Sequence, residues 1–155
     1  EDEVKRNWEL IKLAEGKGEK SVLAGVPQSL PSLIKAMRVQ EKARGAGFDW
    51  DNPDDVWAKV QEELGEFYEV AIADNDVEKT SDEFGDLLFS LVNFARFKNI
   101  NPDEALERTN RKFIRRFTYL EDQVRAKGLA LKDLTLAEMD VYWNQAKTLE
   151  RKTEL

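Results

Sequence analysis

Apolar residues recur every three or four positions along most of the chain, which is the spacing of an amphipathic α-helix. No stretch of strand length alternates between apolar and polar residues. Helices are therefore predicted over about 4–15, 31–45, 53–73, 77–98, 102–127 and 136–151. The pattern favours an all-α fold, a helical bundle of about five to six helices.

Local signals mark the ends of several predicted helices. Asn52 can cap the third helix, while Pro53 takes its first position, where a missing N–H costs nothing. Gly128 can adopt the left-handed conformation that ends the fifth helix. Thr135 and Glu138 have the spacing of a capping box, so we expect the last helix to begin there.

The 155 residues suffice for one hydrophobic core and are few for two. Between 16 and 30 the chain carries three Gly and one Pro with little periodicity, which is typical of a linker. It lacks the glycine and lysine spacing of a P-loop. Residues 1–20 are therefore interpreted as an N-terminal helix and linker, and residues 21–155 as one domain.

The fourth helix is apolar on nearly all sides. Leu87, Leu88 and Leu91 share one face, whereas Phe89 and Phe94 lie on the other side. A helix with this pattern is buried on two sides, either within its own chain or across a dimer.

Composition narrows the possible chemistry. The chain has no His and no Cys, so the commonest general base, the commonest transition-metal ligand and thiolate catalysis are excluded. Carboxylates, amides and hydroxyls remain as ligands for a hard cation such as Mg²⁺ or Mn²⁺.

Charge and hydropathy limit the partners. Lys and Arg total 24 against 31 Asp and Glu, and the net charge of -7 disfavours nucleic acid as a partner. The longest apolar stretch, 87–97, is interrupted by polar residues and too short to span a bilayer. The acidic start shows no secretory signal, so we expect no membrane association and a cytoplasmic location.

Two acidic pairs stand on consecutive helices, Glu63 with Glu66 and Glu83 with Asp86. On the third helix, helical phase predicts a buried apolar stripe of Val56, Val60, Leu64, Phe67 and Ala71. The first acidic pair lies on the flank of this stripe, whereas Glu62 faces away from it. Each pair alone fits a solvated face, while two pairs bordering apolar surface on adjacent helices also fit a metal site. A ferritin-like di-iron site would need Glu-x-x-His twice and is disfavoured.

Basic residues line the fifth helix. Its predicted apolar stripe consists of Leu106, Phe113, Phe117, Leu120 and Val124. Lys112 and Arg116 lie one turn apart beside this stripe, Asn110 borders the other side, and Arg115 points farther out. A solubilising face paired to acids explains such a cluster as well as anion binding does. The same ambiguity holds for two lysines that each precede an acid by one turn, Lys59 and Lys79.

Trp143 on the last helix is by default a core residue, although its indole could instead stack on a base. A triphosphate and four carboxylates could share a site only with divalent ions and basic groups between them. The sequence supplies carboxylates that could bind such ions, and Lys and Arg residues that could serve as the basic groups.

Several runs of sequence closely resemble MazG, a family of all-α nucleoside triphosphate pyrophosphohydrolases. They are K-V-Q-E-E-L-G-E at 59–66, D-E-F-G-D-L-L-F-S-L-V-N-F-A-R at 82–96 and T-N-R-K-F-I-R-R-F at 109–117. The segments S-V-L-A-G-V-P-Q-S-L-P at 21–31 and G-F-D-W at 47–50 resemble the linker and entry segment of the same family. The similarity covers nearly the whole chain and points to the C-terminal catalytic domain of two-domain members.

The resemblance implies a four-helix catalytic core, completed by homodimerisation, that cleaves NTPs and dNTPs between the α and β phosphates to NMP and pyrophosphate. It implies Mg²⁺, with Mn²⁺ as a possible substitute, held by Glu63, Glu66, Glu83 and Asp86. It also implies nucleotide contacts from Lys59, Glu62, Glu63, Lys79, Asp82, Asp86, Asn110, Lys112, Arg115, Arg116 and Trp143.

Within this scheme a carboxylate takes the proton that His would otherwise accept, and Glu63 or Glu66 is expected to do so. Lys112 and Arg116 are expected to stabilise the charge that develops on the phosphates. The rival reading is a non-catalytic helical dimer that binds nucleotide or a partner through a vestigial site. The presence of all four acids together with these two basic residues favours a catalytic site over a vestigial one.

Overall fold

The computed structural model describes residues 1–15, 20–73 and 76–153, and throughout these ranges the regular structure is helical. The helices are α1 (Asp2–Glu15), α2 (Ser32–Gly45), α3 (Pro53–Ala73), α4 (Val77–Phe97), α5 (Pro102–Ala126) and α6 (Leu136–Thr153), with a short 3₁₀ helix at Leu131–Asp133. The all-α prediction is confirmed. The helix stop expected near Gly16 and most of the turn expected at 74–76 lie outside the described residues. None of the described helices is both long and apolar enough to cross a membrane.

Side-chain caps begin the helices where the sequence predicted them. Asn52 Oδ1 accepts a hydrogen bond from the Asp55 N–H at 3.1 Å, so α3 starts at Pro53. Asp76 caps α4 in the same way, accepting from the Lys79 N–H at 3.2 Å. Each cap satisfies an amide that has no partner inside its helix.

The C-terminus of α5 and the N-terminus of α6 also lie where the sequence predicted them. Gly128 has a φ of +70°, a left-handed conformation that few other residues adopt, and the chain leaves α5 there. Thr135 Oγ1 accepts from the Glu138 N–H at 3.2 Å, and Glu138 Oε1 accepts from the Thr135 N–H at 3.2 Å. This reciprocal pair is the predicted capping box of α6.

The chain divides into two compact units, Glu1–Asp103 and Glu104–Leu155. The domain boundary expected at residue 20 remains a prediction. In the first unit α3 packs along α4, and α2 packs on α4. Two ring pairs join α3 to α4, Trp57 with Phe94 at 5.0 Å and Phe67 with Phe84 at 5.3 Å between centroids. The later ring of α3 meets the earlier ring of α4, so the two helices run antiparallel.

Burial on α3 differs from the predicted apolar stripe at Leu64 and at Ala71, which are both exposed. Val56 and Val60 are buried as expected, but Leu64 is 51% exposed and the neighbouring Glu63 only 8% exposed. The placement of Leu64 in the buried stripe was wrong, because α4 covers the flank of α3 on which Glu63 lies. A carboxylate therefore occupies a buried position between the two helices.

Along α4, Leu87 and Val92 are buried, whereas other apolar side chains of the helix are only about half covered within the chain. These half-covered residues are Phe84, Leu88, Phe89 and Leu91. Such surface is what a second copy would cover, and dimerisation stays a prediction.

In the second unit, from Glu104 onward, α5 and α6 share a small core. Leu120, Val124 and Tyr142 are buried together. Partly buried apolar residues pack around them, namely Leu131, Leu134, Met139 and Trp143. The first half of the predicted α5 stripe is not covered within the chain, because Leu106 and Phe113 are more than half exposed.

The α6 capping box can be tested by Thr135→Ala. The substitution leaves the Glu138 amide without its side-chain acceptor, and we expect the free energy of unfolding to fall by about 1 kcal/mol. Thr148→Ala is the matched control, because the Thr148 hydroxyl bonds only to the Asn144 carbonyl within the helix. Urea denaturation measures both, and equal stabilities of the two variants would contradict the capping role.

Candidate functional site

Three of the four predicted acidic ligands converge between α3 and α4. One carboxylate oxygen each from Glu63, Glu83 and Asp86 lies within 4.8 Å of the other two. Glu63 reaches the group from α3, while Glu83 and Asp86 stand one turn apart on α4. The antiparallel packing of the two helices thus brings together acids that are about 20 residues apart in the sequence.

The charges of this cluster are only partly compensated. Glu63 Oε1 forms an ion pair with Lys59 Nζ at 3.1 Å, and this bond, more than the one to Glu62, raises the pKa of Lys59. Glu63 Oε2 and Glu83 Oε2 are buried and have no hydrogen-bond partner among the residues that the structure describes. Buried carboxylate oxygens without a donor are unstable unless a cation neutralises them, so the two orphaned atoms fit metal binding.

The fourth predicted ligand, Glu66, lies beside this group and is exposed. The negative charge of Glu63, followed by partial desolvation and the charge of Glu83, raises the pKa of Glu66. Its carboxylate thus belongs to the same electrostatic cluster, although it is not one of the three that converge. The complete four-residue ligand set remains a prediction.

The other predicted nucleotide-binding residues of the first unit are exposed. Glu62 forms an ion pair with Lys59 at 3.3 Å. Lys79 and Asp82 stand on the first two turns of α4, with Asp82 next to Glu83. Their side chains lie on the solvent side and are accessible to a ligand.

A cavity of about 260 Å³ opens beside the carboxylates. Its lining combines the acidic cluster with aromatic and amide side chains: Trp50, Val56, Lys59, Glu63, Asp86, Phe89, Ser90 and Asn93. Trp50, Phe89, Ser90 and Asn93 were not among the predicted site residues. The signal for two of them was present, because Ser90 and Asn93 are polar residues in line with Asp86 on a helix that is otherwise apolar.

A charged network fixes the wall of this cavity. Arg96 donates two hydrogen bonds to Asp49, from Nη2 at 2.8 Å and from Nη1 at 3.2 Å. The same guanidinium donates to Asn93 Oδ1 at 2.7 Å, and Asp49 Oδ1 accepts from the Trp50 N–H at 2.9 Å. The hydrogen bonds from Arg96 hold the pKa of Asp49 below its ordinary value of 3.8.

The predicted basic residues lie in the second unit, along a cavity of about 550 Å³ on α5. Glu150 of α6 accepts from Arg115 Nε at 3.0 Å and from Arg116 Nη2 at 2.9 Å. These bonds, above all the one from Arg116, lower the pKa of Glu150. Both arginines are thus paired to Glu150, and their contacts with a nucleotide stay a prediction. Lys112 is exposed and also lines the cavity.

Trp143 is a half-buried residue of the second unit. It packs on the small core of the second unit and on Phe113, with ring centroids 5.2 Å apart. The Arg116 guanidinium lies over its ring at 5.8 Å. Asn110 is exposed on α5.

Comparison with known proteins agrees with this arrangement. Residues 52–120, which span α3, α4 and most of α5, match the family model of the MazG nucleotide pyrophosphohydrolase domain. This segment belongs to the MazG family. The resemblance inferred from the sequence is confirmed, and the matched residues include the carboxylates that converge between α3 and α4.

Relatives of the MazG-like chain extend the match over most of its length. It is 41% identical over 143 residues to the nucleoside triphosphate pyrophosphohydrolase/pyrophosphatase MazG of Thermotoga maritima, covering 92% of the chain and 54% of that protein. It is 40% identical over 151 residues to a nucleoside triphosphate pyrophosphohydrolase of Escherichia coli, covering 96% of the chain and 57% of that protein. An uncharacterized protein of Bacillus subtilis, YabN, is 48% identical over 154 residues, 99% of the chain and 32% of that protein. The chain spans about half the length of the first two relatives.

The Asp49 network predicts a pH-dependent effect of Asp49→Asn. A carboxyl whose pKa is lowered by folding stabilises the protein above its ordinary pKa and loses this contribution as the pH falls through the lowered value. At pH 7 we expect the variant to lose about 1 kcal/mol of unfolding free energy, because a charge-assisted bond becomes a neutral one. Below the ordinary value of 3.8 the difference from the unmodified chain should shrink.

Urea denaturation between pH 3 and pH 7 measures this difference. Asp51→Asn is the control, because Asp51 is an exposed neighbour outside the Arg96 network. A loss of stability in Asp49→Asn that is the same at every pH would contradict the assigned ion pair.

Proposed function

We propose that this chain is a Mg²⁺-dependent nucleoside triphosphate pyrophosphohydrolase that cleaves NTPs and dNTPs between the α and β phosphates, releasing NMP and pyrophosphate. The observation that carries the proposal is the convergence of Glu63, Glu83 and Asp86 with two buried oxygens left without partners. The names of the relatives from Thermotoga maritima and Escherichia coli support the same reaction class.

The donor set fits a hard cation. Every converging atom is a carboxylate oxygen, which is the ligand type that Mg²⁺ and Mn²⁺ prefer. Three negative charges this close repel one another, and Lys59 compensates only one oxygen of Glu63. Glu63, Glu83 and Asp86, with Glu66 beside them, would hold the metal. When bound, Mg²⁺ shields the phosphate charge and makes water a stronger nucleophile at neutral pH.

The protein side chains have separate roles in the proposed reaction. Glu66 is the better proton acceptor of the two candidates, because it is exposed to the attacking water, whereas Glu63 is buried and bonded to Lys59. Glu66 lies next to the converging carboxylates, so it is placed to take a proton from a water molecule bound there. Lys59 neutralises part of the acidic cluster and limits repulsion of the incoming phosphates.

The remaining nucleotide contacts are proposed on the family resemblance. Glu62, Lys79 and Asp82 are accessible residues of the first unit. In the second unit the proposal assigns phosphate contacts to Lys112, Arg115 and Arg116 and a nucleotide contact to Trp143, with Asn110 nearby on α5. Homodimerisation completes the proposed assembly.

A pyrophosphate-release assay tests the activity. With Mg²⁺ and an NTP, we expect the chain to release pyrophosphate, and Asp86→Ala or Glu66→Ala to lower kcat at least a hundredfold, as expected when a metal ligand or base is lost. Glu69→Ala is the control, because Glu69 is exposed on α3 and lies outside the cluster. Full activity in Asp86→Ala or Glu66→Ala would sink the mechanism, and nucleotide binding without pyrophosphate release would favour the non-catalytic reading.

Metal binding can be measured without substrate through Glu83→Gln. In the absence of Mg²⁺ we expect this variant to melt a few degrees above the unmodified chain, because it removes like-charge repulsion from the cluster. Adding millimolar Mg²⁺ should raise the melting temperature of the unmodified chain and raise that of the variant much less.

The control for this measurement is Glu78→Gln, which removes an exposed charge from the first turn of α4. It should respond to Mg²⁺ as the unmodified chain does. An equal response of Glu83→Gln and Glu78→Gln would show that the cluster does not hold the cation.

A further inference from the structure

Asn93 presents one defined end of its amide to the cavity beside the carboxylates. Its side chain is buried, with 5% of the residue exposed. Asn93 Oδ1 accepts two hydrogen bonds from Arg96, from Nη2 at 2.7 Å and from Nε at 3.3 Å. A guanidinium only donates, so the oxygen of the amide must face Arg96. If the Asn93 amide were flipped, its Nδ2 group would face the Arg96 guanidinium, donor against donor, so the observed orientation is fixed.

Arg96 is itself fixed. Asp49 binds its guanidinium through both carboxylate oxygens, and the phenylalanine ring of Phe97 lies 4.7 Å from Arg96 Cζ. The bidentate ion pair restricts rotation of the guanidinium plane. Arg96 therefore acts on the cavity as a positioning residue, through the orientation that it imposes on Asn93.

The Nδ2 group of Asn93 is left as a donor at the cavity wall. It forms no hydrogen bond with any residue in the described ranges, and Asn93 lines the cavity of about 260 Å³ that also contains Glu63 and Asp86. Ser90, one turn earlier, has its hydroxyl hydrogen directed to the Leu87 carbonyl at 2.7 Å. Ser90 Oγ can therefore only accept. The cavity offers one fixed donor beside one fixed acceptor.

The other walls suit a flat ring. Trp50 and Phe89 line the same cavity, and aromatic side chains provide stacking surfaces for any nucleobase. Glu63 and Asp86 line the same cavity, so the phosphates held at these carboxylates under the proposed function would lie beside it. A base attached to those phosphates would lie against Trp50 and reach Asn93.

We propose that Asn93 Nδ2 donates to the exocyclic carbonyl of the substrate base, with Ser90 Oγ accepting from the adjacent ring N–H, so that the site selects keto bases. Uracil, thymine and guanine carry this carbonyl and N–H pair. The pair is C4=O with N3–H in uracil and thymine and C6=O with N1–H in guanine. Cytosine and adenine carry an amino group at that carbon beside an unprotonated ring nitrogen, and would set donor against donor and acceptor against acceptor. The inference rests on the proposed function, since it assigns the base preference of that same site.

The test compares UTP with CTP, which differ at the exocyclic group and the neighbouring ring nitrogen. For the unmodified chain we expect kcat/KM for UTP to exceed that for CTP by roughly tenfold or more, the usual effect of leaving a buried donor unpaired. Asn93→Asp keeps one oxygen on Arg96 and turns an acceptor toward the cavity, so the UTP to CTP ratio should fall below one. The added charge acts on both substrates alike and cancels in the ratio.

Two further variants complete the design. Asn99→Asp adds the same charge outside this cavity and should leave the ratio unchanged. Arg96→Met removes the guanidinium that orients the amide, so the ratio should move toward one while Asn93 itself is intact. A ratio unaffected by both Asn93→Asp and Arg96→Met, or a preference of the unmodified chain for CTP, would overturn the inference.

Calorimetric binding of UTP and CTP in the presence of Mg²⁺ separates this inference from the proposed reaction. If no pyrophosphate is released from either nucleotide, the proposed activity fails. The base preference is then judged by the ratio of the two dissociation constants in the unmodified chain and in Asn93→Asp. Inversion of that ratio supports the role of Asn93, and an unchanged ratio contradicts it.

Discussion

Carboxylates that meet between packed helices repel one another, and the repulsion strengthens as water is excluded from between them. The pair of α3 and α4 tolerates this at Glu63, Glu83 and Asp86, where within the described part of the chain only one oxygen of Glu63 has a basic partner. The surrounding features of the first unit follow from this constraint. Apolar burial and ring contacts along the same helices hold the acids together against their repulsion.

Local chemistry explains why most of the helix boundaries could be predicted. Each cap depends on residues within four positions of one another, as with Asn52 and Asp55 or Thr135 and Glu138. The left-handed residue that ends α5 likewise depends on Gly128 alone. The acidic cluster was predictable for a related reason, because the spacing of one turn fixes which acids share a helix face.

The features that could not be predicted from the sequence depend on how the helices pack against one another. Leu64 and Glu63 are adjacent, and which of them is buried is decided by where α4 lies on α3. The ion pair between Asp49 and Arg96 joins residues 47 positions apart, and no periodic signal marks such a pair. The pairing of Arg115 and Arg116 with Glu150 is of the same kind, since the acid lies on a different helix. Periodicity describes one helix at a time and contains no information about its neighbours.

The two ring pairs of α3 and α4 have a mechanical consequence for the carboxylates. Glu63 lies between Trp57 and Phe67 on α3, and Asp86 lies between Phe84 and Phe94 on α4. A slide of one helix along the other by one turn, about 5.4 Å, would break both ring contacts at once. Ring packing does not respond to salt or to protonation as an ion pair does. The axial register of α3 and α4 is therefore set by neutral groups, and the positions at which the two helices present their acids do not depend on the ionisation state of the carboxylates.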